Sequence, residues 1–316
     1  MVVKTDIIML WFFGKYNMLR GAITAIVTPF KDNGSVDFDA LDRLIEYQIA
    51  GGIAGIVVIG STGEALSLDD EEKLLVVRHT INTVNKRVKI VVGIGFPCTN
   101  SAGKFVELAN SISGIDYLLV STPAYVKPSQ EGMYLHIATI AKLSKMPIIL
   151  YNVPARTSSN IEDSTILRLA NDFSNIVGLK DATGDISRCC YMVKHKPFGF
   201  MLFTGDDATA MAFMLCGGDG VISVVSNVIP KLLSKLCNYA LNSKKSEAIK
   251  VNNQIFELCD LMFIESNPIP IKWALFESAV ISTPFLRLPL TILSQEYQDK
   301  IKPHLNLTIC EENNVN

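Results

Sequence analysis

The chain has 316 residues, with 29 Lys plus Arg against 31 Asp plus Glu and a formal net charge of −2. That balance leaves no basic stripe for nucleic acid and no polybasic patch for a membrane surface, so the expected partners are small molecules and further copies of the chain. Apolar residues make up 49% and charged residues 19%, which allows a large core and argues against disorder.

The first seventeen residues hold an apolar run, Ile7-Ile8-Met9-Leu10-Trp11-Phe12-Phe13, between Lys4 and Lys15. The run is too short to span a bilayer, and no small-residue cleavage site follows it. A tail or a mis-assigned start over 1–17, with Met18 as an alternative start, is the favoured reading over a weak signal peptide.

From Gly21 onward, short β-branched runs alternate with amphipathic stretches. The runs cover 23–28, 56–60, 89–93, 116–121, 147–151, 176–180, 200–204 and 220–223. Nearly continuous apolar runs of this kind suit parallel strands covered on both faces. Helices are expected between them, at 39–50, at 69–84 with its acidic start, and at 129–144 and 164–171, where Ser129 and Ser164 are candidate N-caps. Met211, Phe213, Met214 and Leu215 read as helix core, and Gly217-Gly218-Asp219-Gly220 as a tight turn ahead of the eighth run. Eight β-α units imply a closed (β/α)8 barrel over 18–243. An open doubly wound sheet ranks second, because Gly93-Ile94-Gly95 lacks the third glycine of a dinucleotide fingerprint. Helical patterns at 244–263, 270–279 and 292–301 then predict a C-terminal helical extension over 244–316, with a polar end at 311–316.

The seven cysteines (98, 189, 190, 216, 237, 259, 310) show no CxxC spacing and read as free thiols of a reducing, cytoplasmic compartment. The four histidines are scattered, so neither a metal nor a cofactor is expected.

Chemistry in such a barrel sits at the C-terminal ends of the strands. There lie Gly60-Ser61-Thr62-Gly63-Glu64, Thr122-Pro123-Ala124-Tyr125, Tyr151-Asn152-Val153-Pro154-Ala155-Arg156-Thr157, Lys180 with Asp181-Ala182-Thr183-Gly184, and Gly205-Asp206-Asp207. A lysine after Ile176-Val177-Gly178-Leu179 points into an apolar interior. Desolvation there lowers its pKa and frees the amine to attack a ketone. The bland alternative is a strand-end lysine paired with Asp181 or Glu64. Tyr151, one strand away, suits proton transfer to a forming imine, or is a core tyrosine with a satisfied hydroxyl. Ser61 and Thr62 lie in a glycine-bounded turn fit for a carboxylate, although such turns are common. The planar fork of Arg156 suits a second carboxylate, with a surface ion pair as the alternative.

At these residues the sequence resembles the dihydrodipicolinate synthase family, within the wider N-acetylneuraminate lyase superfamily. The match runs from about Leu19 to Leu293. It takes in the GTTGE-like turn 60–64, the YNVPxRT-like loop 151–157, the Lys180 segment 178–184, Gly205-Asp206-Asp207, the segment 220–224, and Asn267-Pro268-Ile269-Pro270-Ile271-Lys272-Trp273-Ala274. The resemblance implies condensation of pyruvate with L-aspartate 4-semialdehyde in lysine and diaminopimelate synthesis, through an imine on Lys180. It implies a proton relay of Tyr151, Ser61 and Tyr125, the last lent by a neighbouring subunit of a homotetramer. Thr62, Gly205 and Ile222 would line the pyruvate site, and Arg156 would hold the semialdehyde carboxylate.

Two departures carry expectations. Ser61 replaces the commoner threonine and keeps the hydroxyl while losing a rotamer-restricting methyl, so a modest rate effect is expected. Lysine-inhibited members use His, Asn, Glu and Tyr side chains where this chain has Asp70, Lys73, Pro97, Ser101 and Ala124. Proline and alanine offer no side-chain hydrogen bond and Lys73 repels an ammonium, so inhibition by lysine is expected to be weak or absent. The alternatives are a sialic-acid or keto-deoxy-sugar-acid lyase, against which Arg156 argues, and a non-catalytic keto-acid-binding barrel.

Overall fold

The computed structural model describes residues 18–315. The expectation for 1–17 therefore lies outside the described residues. Eight parallel strands close into one barrel in sequence order. They are β1 Gly21–Ala25, β2 Gly55–Val58, β3 Lys89–Ile94, β4 Tyr117–Ser121, β5 Ile148–Asn152, β6 Ile176–Asp181, β7 Met201–Thr204 and β8 Gly220–Ser223. Among the described residues twelve α-helices run in chain order: α1 Phe38–Ala50, α2 Asp70–Val84, α3 Thr99–Ala109, α4 Gln130–Leu143, α5 Pro154–Thr157, α6 Asp163–Asp172, α7 Ile186–His195, α8 Ala210–Leu215, α9 Pro230–Leu241, α10 Lys245–Leu261, α11 Ile269–Glu277 and α12 Gln295–Asn313.

The period of two along each strand splits the core into two layers. Ile23, Ala25, Val57, Val91, Leu119, Ile149, Phe203 and Ile222 fill the barrel interior. Their strand neighbours Ile56, Val58, Ile90, Val92, Leu118 and Val120 face outward against the helices. Short strands buried on both sides thus read as continuous apolar runs, as the sequence predicts.

The ends of elements follow local chemistry. β2 stops at Val58 because Ile59 turns into the left-handed region. Asp69 caps α2, its carboxylate accepting from Glu72 N at 2.8 Å while the Glu72 carboxylate accepts from Asp69 N. Ser129 caps α4 as expected. Ser164 does not cap α6. Helical geometry begins one residue earlier at Asp163, with Glu162 as the cap, so Ser164 lies inside the first turn. Leu215 is partly exposed at the end of α8 and is no core residue, unlike Phe213 and Met214. The glycine turn closes α8 as expected, with Gly218 N donating to Phe213 O.

The chain's last segment departs most from expectation. The pattern read as 292–301 followed by a polar end is one helix, α12, continuing to Asn313. Its Glu312 is only 2% exposed, and its two carboxylate oxygens accept from Lys231 N and Leu232 N, each at 2.8 Å. A terminal carboxylate therefore satisfies the open N–H groups at the start of α9, whose first residue is Pro230.

Candidate active site

A bulge decides which way the key lysine faces. β5 and β6 pair Ile148 with Ile176 and then Ile149 with Gly178, so Val177 is an extra residue on β6. Past it, Leu150 pairs with Leu179 and Tyr151 with Lys180. Leu150 and Leu179 share the outer layer, which turns Tyr151 and Lys180 inward together. Ser121 on β4 and Phe203 on β7 share their level, through the pairs Ser121–Tyr151 and Lys180–Phe203.

Lys180 is 5% exposed, and its Nζ lies 4.4 Å from the centroid of the Tyr151 ring. Burial pulls its pKa down to about 7; the negative charge of Asp207 opposes the fall, and the positive charge of Arg156 adds to it. Among the described residues Lys180 forms no ion pair. Asp181 faces the other way, accepting from Asn152 Nδ2 at 2.9 Å and from the Thr183 hydroxyl, and lying 3.8 Å from Arg188 Nε. Glu64 is taken by Lys272 at 2.5 Å. Both partners that a bland strand-end lysine would use are committed elsewhere.

Gly205, just past β7, is set by close approach. A Cβ there would sit 2.6 Å from Lys180 Cε and 2.8 Å from Ala182 Cβ. Burial raises the Tyr151 phenol above its ordinary pKa, while the Arg156 charge and a hydrogen bond with Ser61 oppose it. A serine hydroxyl, a phenol and a neutral-leaning amine thus meet at three neighbouring points of the barrel mouth. That set can pass protons around a carbonyl under nucleophilic attack.

Thr62 is buried, and its Oγ1 accepts from Asn267 Nδ2 at 2.9 Å. Arg156 on α5 donates from Nη2 to the Asn267 carbonyl at 2.6 Å. Ile222 is fully buried on the inner face of β8. Tyr125 stands apart from this group within its own chain: the residue is 93% exposed, its backbone is left-handed, and its N–H donates to Thr157 O.

Three contributors were not legible as site residues. Asn267 precedes α11 and touches both Thr62 and Arg156. Asp207 is buried, its carboxylate accepting from Val224 N and Val225 N, with burial raising its pKa. Lys272, fully buried on α11, ties the 60–64 turn to the C-terminal helices through Glu64. The family motifs contained all three, but nothing in the spacing showed what they touch. Among the described residues, no three His, Cys, Asp or Glu side chains gather as a metal-holding group.

The family model described as dihydrodipicolinate synthetase matches residues 18–307, nearly the whole described chain. The chain belongs to this family. A 4-hydroxy-tetrahydrodipicolinate synthase of Laribacter hongkongensis is 47% identical over 288 residues, covering 91% of this chain and 98% of that protein. The pyruvate complex of the chloride-inhibited dihydrodipicolinate synthase from Acinetobacter baumannii superposes with a TM-score of 0.89. It is 42% identical, covering 92% of this chain and 99% of that one. A structure described as the first monomeric dihydrodipicolinate synthase variant also matches, with a TM-score of 0.89 and 36% identity, covering 92% of this chain and 97% of that one. No helix among the described residues is long and apolar enough to cross a membrane.

Proposed function

We propose that the chain condenses pyruvate with L-aspartate 4-semialdehyde, as a 4-hydroxy-tetrahydrodipicolinate synthase does, in the cytoplasm and without a cofactor. The observation that carries this reading is Lys180, a buried amine with no carboxylate ion pair among the described residues, beside the Tyr151 ring. Its neutral form attacks the pyruvate ketone. The carbinolamine loses water to give an imine, the methyl carbon loses a proton to give the enamine, and the enamine carbon attacks the aldehyde. Tyr151 and Ser61 pass the protons that these steps require. Thr62, Gly205 and Ile222 hold pyruvate, and Arg156 offers its fork to the semialdehyde carboxylate.

Tyr125 completes the relay from a neighbouring subunit in a homotetramer. Its exposure, with that of Val126 beside it, supports a surface that a second copy covers. Sedimentation showing a monomer as active as any larger species would remove this part. The substrate assignment is tested by offering pyruvate with aspartate semialdehyde, and separately by following cleavage of sialic acid and keto-deoxy sugar acids. Turnover of the first pair with little cleavage of the others is expected, and the reverse preference would replace the reading with a sugar-acid lyase.

A further inference from the structure

We propose that Asn267 is a positioning residue for both carboxylate sites, setting the proton direction of Thr62 and the seat of Arg156. The inference rests on the reading that Thr62 and Arg156 bind the two substrates. Asn267 reaches the barrel mouth from the C-terminal segment, 205 residues from Thr62 and 111 from Arg156 in sequence.

The side-chain amide nitrogen can only donate. Its bond to Thr62 Oγ1 makes that oxygen the acceptor, so the hydroxyl proton is left to point at a ligand. Thr62 is 3% exposed and Asn267 5%, which leaves little room for water to take over that role. The Asn267 main-chain carbonyl meanwhile accepts from Arg156 Nη2 at 2.6 Å and so holds one arm of the fork, leaving its other donors for a carboxylate. The same two segments are tied a second time where Lys272 meets Glu64 at 2.5 Å, so Asn267 has little freedom to shift. Asn267 Oδ1 is buried with no hydrogen-bond partner among the described residues. Leaving a buried acceptor unmet is a cost that a residue serving packing alone has no reason to carry.

The test is steady-state kinetics of the full chain with both substrates. Asn267→Asp is close to isosteric and reverses the bond, because a carboxylate accepts and turns the Thr62 proton away from the ligand. It is expected to raise KM for pyruvate by roughly tenfold. The factor should grow with pH as the new carboxyl ionises. KM for the semialdehyde should move less, since the main-chain carbonyl remains, and kcat should stay within about twofold. Asn267→Ala and Thr62→Val should each raise KM for pyruvate by about fivefold, and the double variant by no more than either alone. Unchanged pyruvate KM in folded Asn267 variants, or full additivity in the cycle, overturns the inference. Should Asn267→Asp not fold, the cycle decides alone. Borohydride trapping on the unaltered protein separates the two levels. No pyruvate adduct breaks the reading of the site, whereas an adduct with unchanged KM values in the variants breaks only the role of Asn267.

Discussion

Two lysines are buried among the described residues, and the fold treats them in opposite ways. Lys180, one residue before the end of β6, lies inside the barrel with no ion pair among the described residues and a pKa pulled down to about 7. Lys272, on α11, has its side chain wholly enclosed but surrounded by compensation. Its Nζ meets Glu64 at 2.5 Å, donates to Phe285 O at 3.1 Å, and lies 4.0 Å from the centroid of the Phe30 ring. Burial lowers its pKa as well, to about 8, with Glu64 pulling it back up. Desolvation is common to both; the difference lies in what replaces the lost water. Where a carboxylate, a carbonyl and a ring replace it, the lysine is a strut. Where no close ion pair does, the amine is left poised for covalent chemistry.

The contrast predicts stability changes of opposite sign. Lys272→Met strands Glu64 in the core and should lower unfolding free energy by about 3–5 kcal/mol in denaturant titrations, with Glu64→Gln in the same background recovering part of it. Lys180→Met should instead stabilise the fold by a few kcal/mol near neutral pH. The sign follows from its folded pKa of about 7, which lies below the unfolded value. The penalty is complete below pH 7 and fades as pH rises toward the unfolded pKa, so the gain from Lys180→Met should shrink over that interval. A Lys180→Met variant destabilised at pH 7 would mean that this amine is held by compensation too.

Removing the phenol sharpens the comparison from the reactive side. Tyr151→Phe keeps the ring beside Lys180 and deletes the proton carrier, so kcat should fall by about 10²–10⁴ with the fold intact. A smaller effect belongs to Arg156→Ala, which should raise KM for the semialdehyde by about 10- to 100-fold and leave pyruvate trapping nearly unchanged. The smallest concerns regulation. Lys73 is paired with Asp70 at 2.9 Å and lies 5.0 Å from the Phe96 ring centroid, so the place expected to meet a bound lysine presents a cation already in use. Activity should stay above half at millimolar lysine, and half-inhibition below millimolar would refute that expectation.

How far these features could be read from the sequence depended on how local their causes are. Strand identity and barrel closure follow from apolar runs and their alternation with helices, and each run was legible alone. Lys180 and Tyr151 stood out as polar residues at the ends of apolar strands. The inward direction of Lys180 was expected, but the device that aligns it with Tyr151 was not legible, because it is the extra residue Val177, and a bulge leaves no trace in a run of apolar residues. Asn267 and Lys272 were visible only as parts of a family motif, since their partners Thr62 and Glu64 lie some 200 residues away. Glu312 reads in the sequence only as part of a polar end, because its task, capping α9, is set by tertiary packing. The missing Ser164 cap is a shift of two residues, the cap falling at Glu162, at a helix whose start is acidic either way.

The central claim is that Lys180 is the nucleophile because it is buried and unpaired. The most direct measurement is borohydride trapping with pyruvate as a function of pH, followed by digestion and mass spectrometry. The expected adduct lies on the peptide containing Lys180, is absent from Lys180→Ala, and forms about tenfold more slowly for each pH unit below 7. An adduct on Lys272 or any other lysine, or none from folded protein with pyruvate in excess, would contradict it.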